Sequence, residues 1–344
     1  MKALMYSAPR AAQIVEVESP HASGRTSVAE TIVTNVSAGT EMGFYRGTAP
    51  QMNSKCGPDK LFQSHPGALG YPMRSSDPGV WWMGYAAVGK VVECGPEEKS
   101  LKVGDLVYQQ SGHKDRMASD NFFLLPPGTN PDHAAFLALI NIAYNGMLDA
   151  RVKMLDEVVI FGMGVLGQLL VQMCKLSGAR VTAVDYVDSR LHLAKEQGAD
   201  VVFNPSKDGD IGSAVQAATE GRGADVVIEV SGNIKALPDA IRTAGPDGKV
   251  IVLSFYQGGA EPLELGKEFH HKRITLRSSQ IGGINPEMGT HYTADRRMAD
   301  SIKLLSLLNI DPLISHRVPF AELPTALGMI DKDPASCSGV LVHY

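Results

Sequence analysis

The sequence lacks the features of membrane, secreted and nucleic-acid-binding proteins. No apolar run approaches the roughly 18 residues that cross a bilayer, and the opening residues Met1 to Tyr6 lack the apolar stretch of a secretory signal. The 32 basic and 37 acidic residues give a net charge of −5, so no basic excess indicates nucleic acid. We therefore expect a small-molecule substrate, with neither nucleic acid nor a membrane as a partner.

Cysteine is also scarce. The four cysteines, Cys56, Cys94, Cys174 and Cys337, lie far apart and form no Cys-x-x-Cys pair. Such usage is typical of a reduced, cytoplasmic protein in which cysteines are ordinary packing residues. A disulfide framework is therefore not expected, and we predict a cytoplasmic location.

The 344 residues exceed what one ordinary core holds, and the hydrophobic period changes along the chain. Residues 1–147 contain short alternating runs between glycine and proline turns, which predicts a β-rich domain. It includes an irregular stretch at 47–80, which we expect to be a loop near the substrate site. Residues 148–280 alternate strands with helices, which predicts a doubly wound parallel sheet. Residues 281–344 are expected to return to the first domain through a final strand at 339–344.

The most informative segment is a glycine-rich turn between an apolar strand and an amphipathic helix. The strand Val158 to Phe161 leads into Gly162-Met-Gly164-Val-Leu-Gly167. In the dinucleotide-binding fingerprint these three glycines permit the tight turn, the close approach of a pyrophosphate and the close packing of the helix. The helix opens at Val165 and Leu166, where free N–H groups favour phosphate. The alternative is a glycine turn in a domain that binds no cofactor.

The second strand of this region, Arg180 to Val184, ends at Asp185. A carboxylate at this position accepts hydrogen bonds from both ribose hydroxyls and repels a 2′-phosphate. The predicted cofactor is therefore NAD rather than NADP.

Four further segments resemble the medium-chain dehydrogenase/reductase superfamily, and the resemblance covers essentially the whole chain. They are Val36-Ser-Ala-Gly-Thr-Glu41, Gly84-Tyr-Ala-Ala-Val-Gly-Lys-Val-Val-Glu-Cys-Gly95, Val103-Gly-Asp-Leu-Val107 and Asp185-Tyr-Val-Asp-Ser-Arg190. The resemblance implies an α/β fold with a GroES-like β-rich catalytic domain and a Rossmann domain. It also implies an NAD-dependent oxidoreductase that acts on CH–OH groups.

The family resemblance implies further contacts and an assembly. Arg190 resembles the residue on the adenine side, while Ser231, Leu253, Ser254 and Ser279 stand at strand ends where the nicotinamide half binds. Plain strand termini are the alternative for these residues. A homodimer or homotetramer is expected through an edge of the cofactor-domain sheet, with the apolar strands 250–253 and 274–276 at that edge.

The zinc ligands of the family are missing from the matching positions. Ala38 stands at the thiolate position, Tyr85 at the imidazole position and Ala86 at the adjacent acid position. A catalytic zinc needs three strong protein ligands, and the run from Gly95 to Asp105 lacks the four cysteines of the structural zinc lobe. We therefore predict that both metals are absent.

Hydrogen-bond donors must then stabilise the substrate oxygen. The candidates are Thr40 at the family's relay position, Tyr85 with a pKa lowered by a nearby cation, and His113 as a proton shuttle, with Glu41 orienting the loop. Each has an alternative: Thr40 caps a helix that starts near Glu41, Tyr85 fills the volume of the missing zinc site, and His113 is an ordinary loop histidine.

These residues favour a zinc-independent dehydrogenase that interconverts a secondary alcohol and a ketone. Zinc-less relatives with a similar pattern include bacteriochlorophyllide hydroxyethyl dehydrogenases, with sugar- and cyclitol-oxidising enzymes near them. Trp81 and Trp82 are candidates for a stacking wall. A hydroxyl-rich substrate, namely a polyol, sugar or cyclitol, is favoured by a set of polar side chains: Thr40, Tyr85, His113, Asn141 and Asn145.

Two alternatives remain open. One is an NAD(P)H-dependent quinone or enoyl C=C reductase, which Asp185 disfavours because such enzymes usually prefer NADPH. The other is a non-catalytic cofactor-binding protein, since every zinc ligand is lost. Cofactor preference tests the first alternative, and turnover with a panel of polyols tests the second.

Overall fold

The computed structural model describes residues 1–259 and 263–344. They form two compact units. The first unit comprises Met1–Ala138 and Ile314–Tyr344, and the second unit comprises Leu139–Leu313. Among the described residues, no helix is long and apolar enough to cross a membrane.

The strands of the described chain are, in order, β1 (Lys2–Ala8), β2 (Ala11–Glu16), β3 (Ser27–Val36), β4 (Ser54–Cys56), β5 (Phe62–Ser64), β6 (Met73–Arg74), β7 (Ala87–Glu93), β8 (Leu106–Gln109), β9 (Arg116–Ser119), β10 (Phe123–Leu124), β11 (Glu157–Phe161), β12 (Arg180–Val184), β13 (Val201–Phe203), β14 (Ala224–Glu229), β15 (Ala244–Val252), β16 (Thr275–Ser278), β17 (Ile314–Pro319) and β18 (Gly339–His343). The helices are α1 (Ala38–Arg46), α2 (Pro131–Ala134), α3 (Leu137–Ala150), α4 (Val165–Leu176), α5 (Asp188–Glu196), α6 (Pro205–Asp208), α7 (Ile211–Ala218), α8 (Ala236–Thr243), α9 (Glu268–His271), α10 (Ala294–Leu304) and α11 (Leu323–Lys332).

The first unit is built on the long strand β3. β3 pairs antiparallel with β7 and with the C-terminal strand β18, where Val340 lies opposite Val36. The C-terminal strand β18 therefore belongs to the sheet of the first unit. The apolar core of this unit includes the fully buried Tyr6 and Phe44. The stretch 47–80 is not wholly irregular, because it contains the short antiparallel pair β4–β5 and strand β6.

The second unit contains a six-stranded parallel sheet in the order β13-β12-β11-β14-β15-β16. Every residue of β11 is buried, as expected for a central parallel strand covered by helices on both faces. The register places Val158 opposite Val181 and Val226 on the two neighbours of β11. The predicted α/β class and the doubly wound sheet are confirmed.

Two details of the second unit differ from expectation. The unit extends beyond residue 280 because a buried arginine of α10, Arg297, bonds the α3 side chain Asn141 at 3.0 Å. Strand β15, which includes residues 250–252, lies inside the sheet between β14 and β16. The expectation that 250–253 lies at the sheet edge is therefore wrong, since the chain continues into β16, which occupies that edge.

Candidate active site

The glycine turn between β11 and α4 has the geometry that its sequence predicts. Gly162 has φ +98°, and a Cβ there would lie 2.4 Å from the Cα of Ser231. A Cβ at Gly167 would lie 1.9 Å from the carbonyl oxygen of Gly162, so α4 packs against the turn without room for a side chain. In contrast, no described atom lies within 4 Å of a Cβ placed at Gly164. The turn therefore has no room for a side chain at Gly162 or Gly167, whereas the space beside Gly164 is open.

The N-terminus of α4 is available to an anion. Gly164 is the N-cap, and it has no side chain to bond the first N–H groups of the helix. Val165 and Leu166 are the first two residues of α4 and are half-buried. Together with the open space at Gly164, this end of the helix fits a pyrophosphate.

Asp185 lies directly beside this turn. Its Oδ2 accepts a hydrogen bond from the Met163 N–H at 2.6 Å, and its Oδ1 accepts one from the Val187 N–H at 2.8 Å. A carboxylate offers about four lone-pair sites, so both oxygens can still accept ribose hydroxyls. The residues present therefore fit a dinucleotide, with Asp185 at the ribose.

Sequence reasoning missed a residue that holds this turn to the adjacent helix. Gln168 is almost fully buried, and its Nε2 donates to the carbonyl oxygens of Met163 at 3.3 Å and Arg190 at 2.8 Å. The Arg190 backbone thus lies close to the glycine turn. A glutamine inside an apolar helix is the sequence signal that could have indicated this tie.

A buried carboxylate organises the other loops at this end of the sheet. Glu229 ends β14, is 0% exposed, and accepts hydrogen bonds from the Ser231 N–H at 2.9 Å and from the hydroxyls of Ser231 and Tyr256. Burial and the adjacent Glu229 raise the pKa of Tyr256. Ser254 accepts from the Gly232 N–H at 2.8 Å. Glu229 therefore fixes the loops that follow β14 and β15.

Leu253 and Ser279 are the remaining residues that we predicted to contact the cofactor. The Leu253 N–H donates to the Glu229 carbonyl at 2.9 Å, which places Leu253 directly after β15 and beside the loop after β14. The Ser279 hydroxyl is buried and donates to Asp149 Oδ2 at 2.7 Å. The hydroxyl of Ser279 is therefore part of the interior of the unit rather than free for a ligand.

Asn141 and Asn145 do not form a substrate surface. Both are buried and accept hydrogen bonds from the guanidinium of Arg297, which also donates to the carbonyls of Ile281 and Gly283 at 2.7 and 3.1 Å. Burial lowers the pKa of Arg297. The two asparagines therefore hold α10 and the 281–283 segment in place, and they do not support the hydroxyl-rich substrate that we inferred from them.

In the first unit, three hydroxyl groups meet near the start of α1. The Tyr85 hydroxyl is hydrogen bonded to the hydroxyl of Ser37 and to the side chain of Thr40. Ser37 is the N-cap of α1, and Thr40 lies inside the helix. The alternative role of Thr40 as the helix cap is therefore wrong, because α1 starts at Ala38. Ser37 stands in the segment Val36 to Glu41, but sequence reasoning gave it no role.

The pKa of Tyr85 decides whether its hydroxyl carries a proton. Burial, which raises the pKa, hydrogen bonds from Ser37 and Thr40, which lower it, and the charge of Glu41, which raises it, together place the pKa at about 12. We expected a nearby cation to lower this pKa; an anion, Glu41, lies there instead. At neutral pH the hydroxyl therefore keeps its proton and can donate it to an oxygen.

Glu41 and His113 form a buried pair behind these hydroxyls, and both are 0% exposed. Glu41 Oε2 lies 2.9 Å from His113 Nε2, and Glu41 Oε1 accepts from the Ser37 N–H at 2.6 Å. The other ring nitrogen of His113 lies 2.7 Å from the Thr34 hydroxyl. His113 is therefore a positioning residue, and its burial does not fit the proposed shuttle to solvent.

The positions that carry zinc ligands in the family do not form a metal site here. Ala38 and Ala86 offer no donor atoms beyond their backbones. Within residues 1–259 and 263–344, no group of three or more His, Cys, Asp or Glu side chains is placed to hold a metal ion. The absence of zinc from the protein stays a prediction.

The chain matches a family model described as "Zinc-binding dehydrogenase" over residues 165–295. It is similar to the D-guloside 3-dehydrogenase of Escherichia coli K12, with 30% identity over 350 aligned residues that cover 97% of each chain.

Solved structures share the fold over the whole chain. A galactitol-1-phosphate dehydrogenase from Escherichia coli gives a TM-score of 0.80 at 19% identity, with 100% of both chains covered. An alcohol dehydrogenase from Escherichia coli CFT073 complexed with NADH gives 0.78 at 21% identity, covering 100% of this chain and 99% of that chain. A candidate zinc-binding dehydrogenase from Sinorhizobium meliloti 1021 bound to NADP gives 0.78 at 20% identity, with the same coverage.

Proposed function

Because the chain belongs to the zinc-type dehydrogenases of the medium-chain dehydrogenase/reductase superfamily, we propose which reaction it carries out and with which groups. The proposed reaction is the zinc-independent, NAD-dependent interconversion of a secondary alcohol and its ketone. The main support is the Ser37–Thr40–Tyr85 hydroxyl cluster, in which Tyr85 occupies the position of a zinc-binding histidine in the family resemblance.

The second unit supports the cofactor part of this proposal. The open middle glycine, the uncapped start of α4 and Asp185 together fit a dinucleotide. When bound, the nicotinamide would exchange a hydride with the substrate carbon. Asp185 favours NAD, because its carboxylate would repel a 2′-phosphate.

The first unit supports the acid–base part. In the reducing direction the neutral Tyr85 phenol donates its proton to the oxygen that gains negative charge, and the hydroxyls of Ser37 and Thr40 stabilise the phenolate that remains. In the oxidising direction the alcohol oxygen returns a proton to the Tyr85 phenolate, and the neutral phenol forms again. Because the pKa of Tyr85 is raised, the protonated phenol that ketone reduction requires is the form present at neutral pH.

A sugar, polyol or cyclitol is the proposed substrate class. The support is the similarity to a D-guloside 3-dehydrogenase over 97% of both chains. Of the five polar residues that favoured this class from the sequence, Thr40 and Tyr85 are half-buried and can be reached by a ligand, whereas the other three are enclosed.

Turnover with each cofactor tests the proposal. Purified protein is incubated with a panel of glycosides, hexitols and inositols, and formation of the reduced cofactor is followed with NAD and with NADP. We expect turnover of at least one hydroxyl-rich compound with NAD, and a lower kcat/KM with NADP. A strong preference for NADP, or turnover only with enones or quinones, would contradict it.

A further inference from the structure

Three aromatic side chains of the first unit form a continuous group, and one of them belongs to α1, the helix that also contains Thr40. We name Phe44, Trp81 and Trp82 the aromatic shelf. Trp82 stacks on Phe44 with ring centroids 4.9 Å apart and an interplanar angle of 18°. Trp81 packs edge-on against both, at 5.7 Å from Trp82 and 6.2 Å from Phe44.

The outer member of the shelf is exposed although its neighbours are not. Trp81 is 52% exposed, whereas Phe44 is 0% and Trp82 is 8% exposed. A half-exposed indole forgoes much of the free energy that its burial would supply. Trp81 packs against two buried rings and presents the rest of its indole as an exposed apolar surface.

Helix α1 connects the shelf to the hydroxyl cluster. Phe44 and Thr40 are four residues apart on α1 and so lie on one face of that helix, one turn from each other. Trp81 precedes Tyr85 by four residues in the segment that leads into β7. A ligand whose oxygen bonds Thr40 would lie one helical turn from Phe44, against which Trp81 packs.

The shelf also contains a hydrogen-bond donor without an acceptor. Trp82 Nε1 is buried and finds no hydrogen-bond partner among the described residues. A buried donor without a partner destabilises the state that contains it. An oxygen of a bound ligand would supply that acceptor.

We propose that the aromatic shelf binds the C–H face of a polyhydroxylated six-membered ring, and that it thereby selects ring-closed substrates over open-chain polyols. Such a ring carries its hydroxyls at the edge and exposes C–H groups on its face. The edge fits the hydroxyls of Thr40 and Tyr85, and the face fits the exposed indole of Trp81. An open-chain polyol has no flat apolar face to place there. This inference rests on the proposed function, because it assigns the ring of the same substrate.

Binding measurements test the shelf without turnover. The chain has only two tryptophans, and both belong to the shelf, so intrinsic fluorescence reports on it directly. The wild type is titrated with methyl hexopyranosides, myo-inositol and sorbitol, with and without NADH. We expect a saturable fluorescence change with a pyranoside, with inositol or with both, and a weaker one or none with sorbitol.

Variants then identify the contact by calorimetry. Trp81→Ala should weaken binding of the ring compounds about tenfold while sorbitol binding stays the same, and Trp81→Phe should retain most of the affinity. Leu124→Ala is the matched control, because Leu124 is 51% exposed in the same unit but is not part of the shelf; it should leave every affinity unchanged. Equal losses for rings and sorbitol in Trp81→Ala, or unchanged ring affinity, would overturn the proposal.

The two proposals fail in different ways. If the shelf proposal is wrong, NAD turnover persists while Trp81→Ala keeps its ring affinity. If the proposed function is wrong, ring compounds bind to the shelf without any turnover of NAD. Circular dichroism and NADH affinity of each variant show that both units remain folded.

Discussion

The two units position their functional groups by different means. In the second unit, backbone atoms form the glycine turn, and Gly162 and Gly167 have a steric reason, since a Cβ at Gly167 would lie 1.9 Å from the carbonyl oxygen of Gly162. In the first unit, the hydroxyls are held by buried side chains, with Glu41 and His113 behind them. Backbone geometry tolerates few alternatives, whereas a side-chain network can be rebuilt residue by residue. This contrast explains how the residues at the zinc-ligand positions of the first unit can change while the second unit keeps its glycine fingerprint.

The largest expected effect is on stability in the first unit. His113→Leu would leave the carboxylate of Glu41 and the hydroxyl of Thr34 buried without this partner. Breaking a buried pair in this way typically lowers the free energy of unfolding by about 3–5 kcal/mol. Urea unfolding of the wild type and the variant measures this loss. His192→Leu is the control, because His192 forms an exposed pair with Glu196; that pair should contribute less than about 1 kcal/mol. Equal, small losses in both variants would show that the buried pair does not support the site.

The next largest expected effect is on kcat, and it should arise from the first unit alone. Tyr85→Phe removes the proposed proton donor, so kcat for ketone reduction should fall by about 10²–10³-fold. NADH affinity, a property of the second unit, should stay unchanged. Ser37→Ala, which removes only a supporting hydrogen bond, should lower kcat by about tenfold. A Tyr85→Phe enzyme with nearly normal kcat would instead favour the role of Tyr85 as a space-filling residue.

The pH dependence of ketone reduction follows from the pKa of Tyr85. Burial raises the pKa of Tyr85 to about 12, so the donating acid form is present below that pH and is lost only as pH rises through it. The rate of ketone reduction should therefore show no decrease attributable to Tyr85 between about pH 7 and pH 10. The pH profile of kcat checks this. An alkaline limb in this range that disappears in Tyr85→Phe would contradict the protonated phenol.

Two glycines of one turn provide an internal comparison in the second unit. Gly167→Ala should lower the free energy of unfolding by about 1–3 kcal/mol, because the new methyl group collides with the Gly162 carbonyl. Gly164→Ala should leave stability nearly unchanged, since the space is open, but should weaken NADH binding. Thermal unfolding and NADH titration separate the two effects. The assignment of Gly164 to the pyrophosphate would be wrong if both variants bound NADH normally.

The smallest effect concerns cofactor choice. Asp185→Ala should weaken NAD binding and reduce its preference over NADP, by about tenfold in the ratio of kcat/KM. Asp188→Ala is a matched control three residues away, because its side chain is 61% exposed and pairs with Lys207. An unchanged cofactor ratio in Asp185→Ala would remove the basis for assigning NAD.

The sequence predicted the second unit more closely than the first. The bounds of β11 and α4 match the predicted strand and helix, because the apolar pattern and the glycines leave few alternatives. The side-chain partners were not predictable. Asn145 bonds Arg297, 152 residues later in the chain, and no local pattern reveals such a contact. Likewise, the positions of Thr40 and Tyr85 in the sequence do not reveal that the hydroxyl of Ser37 bonds the Tyr85 phenol.

Zinc content measured together with activity distinguishes a metal ion from the hydroxyl cluster as the group that stabilises the reacting oxygen. Protein purified without chelators is analysed for metals, then assayed for NAD turnover before and after treatment with 1,10-phenanthroline. We expect substoichiometric zinc and the same turnover in both samples, because hydroxyl groups and not a metal ion stabilise the reacting oxygen. Stoichiometric zinc whose removal abolishes turnover, and whose return restores it, would contradict the account.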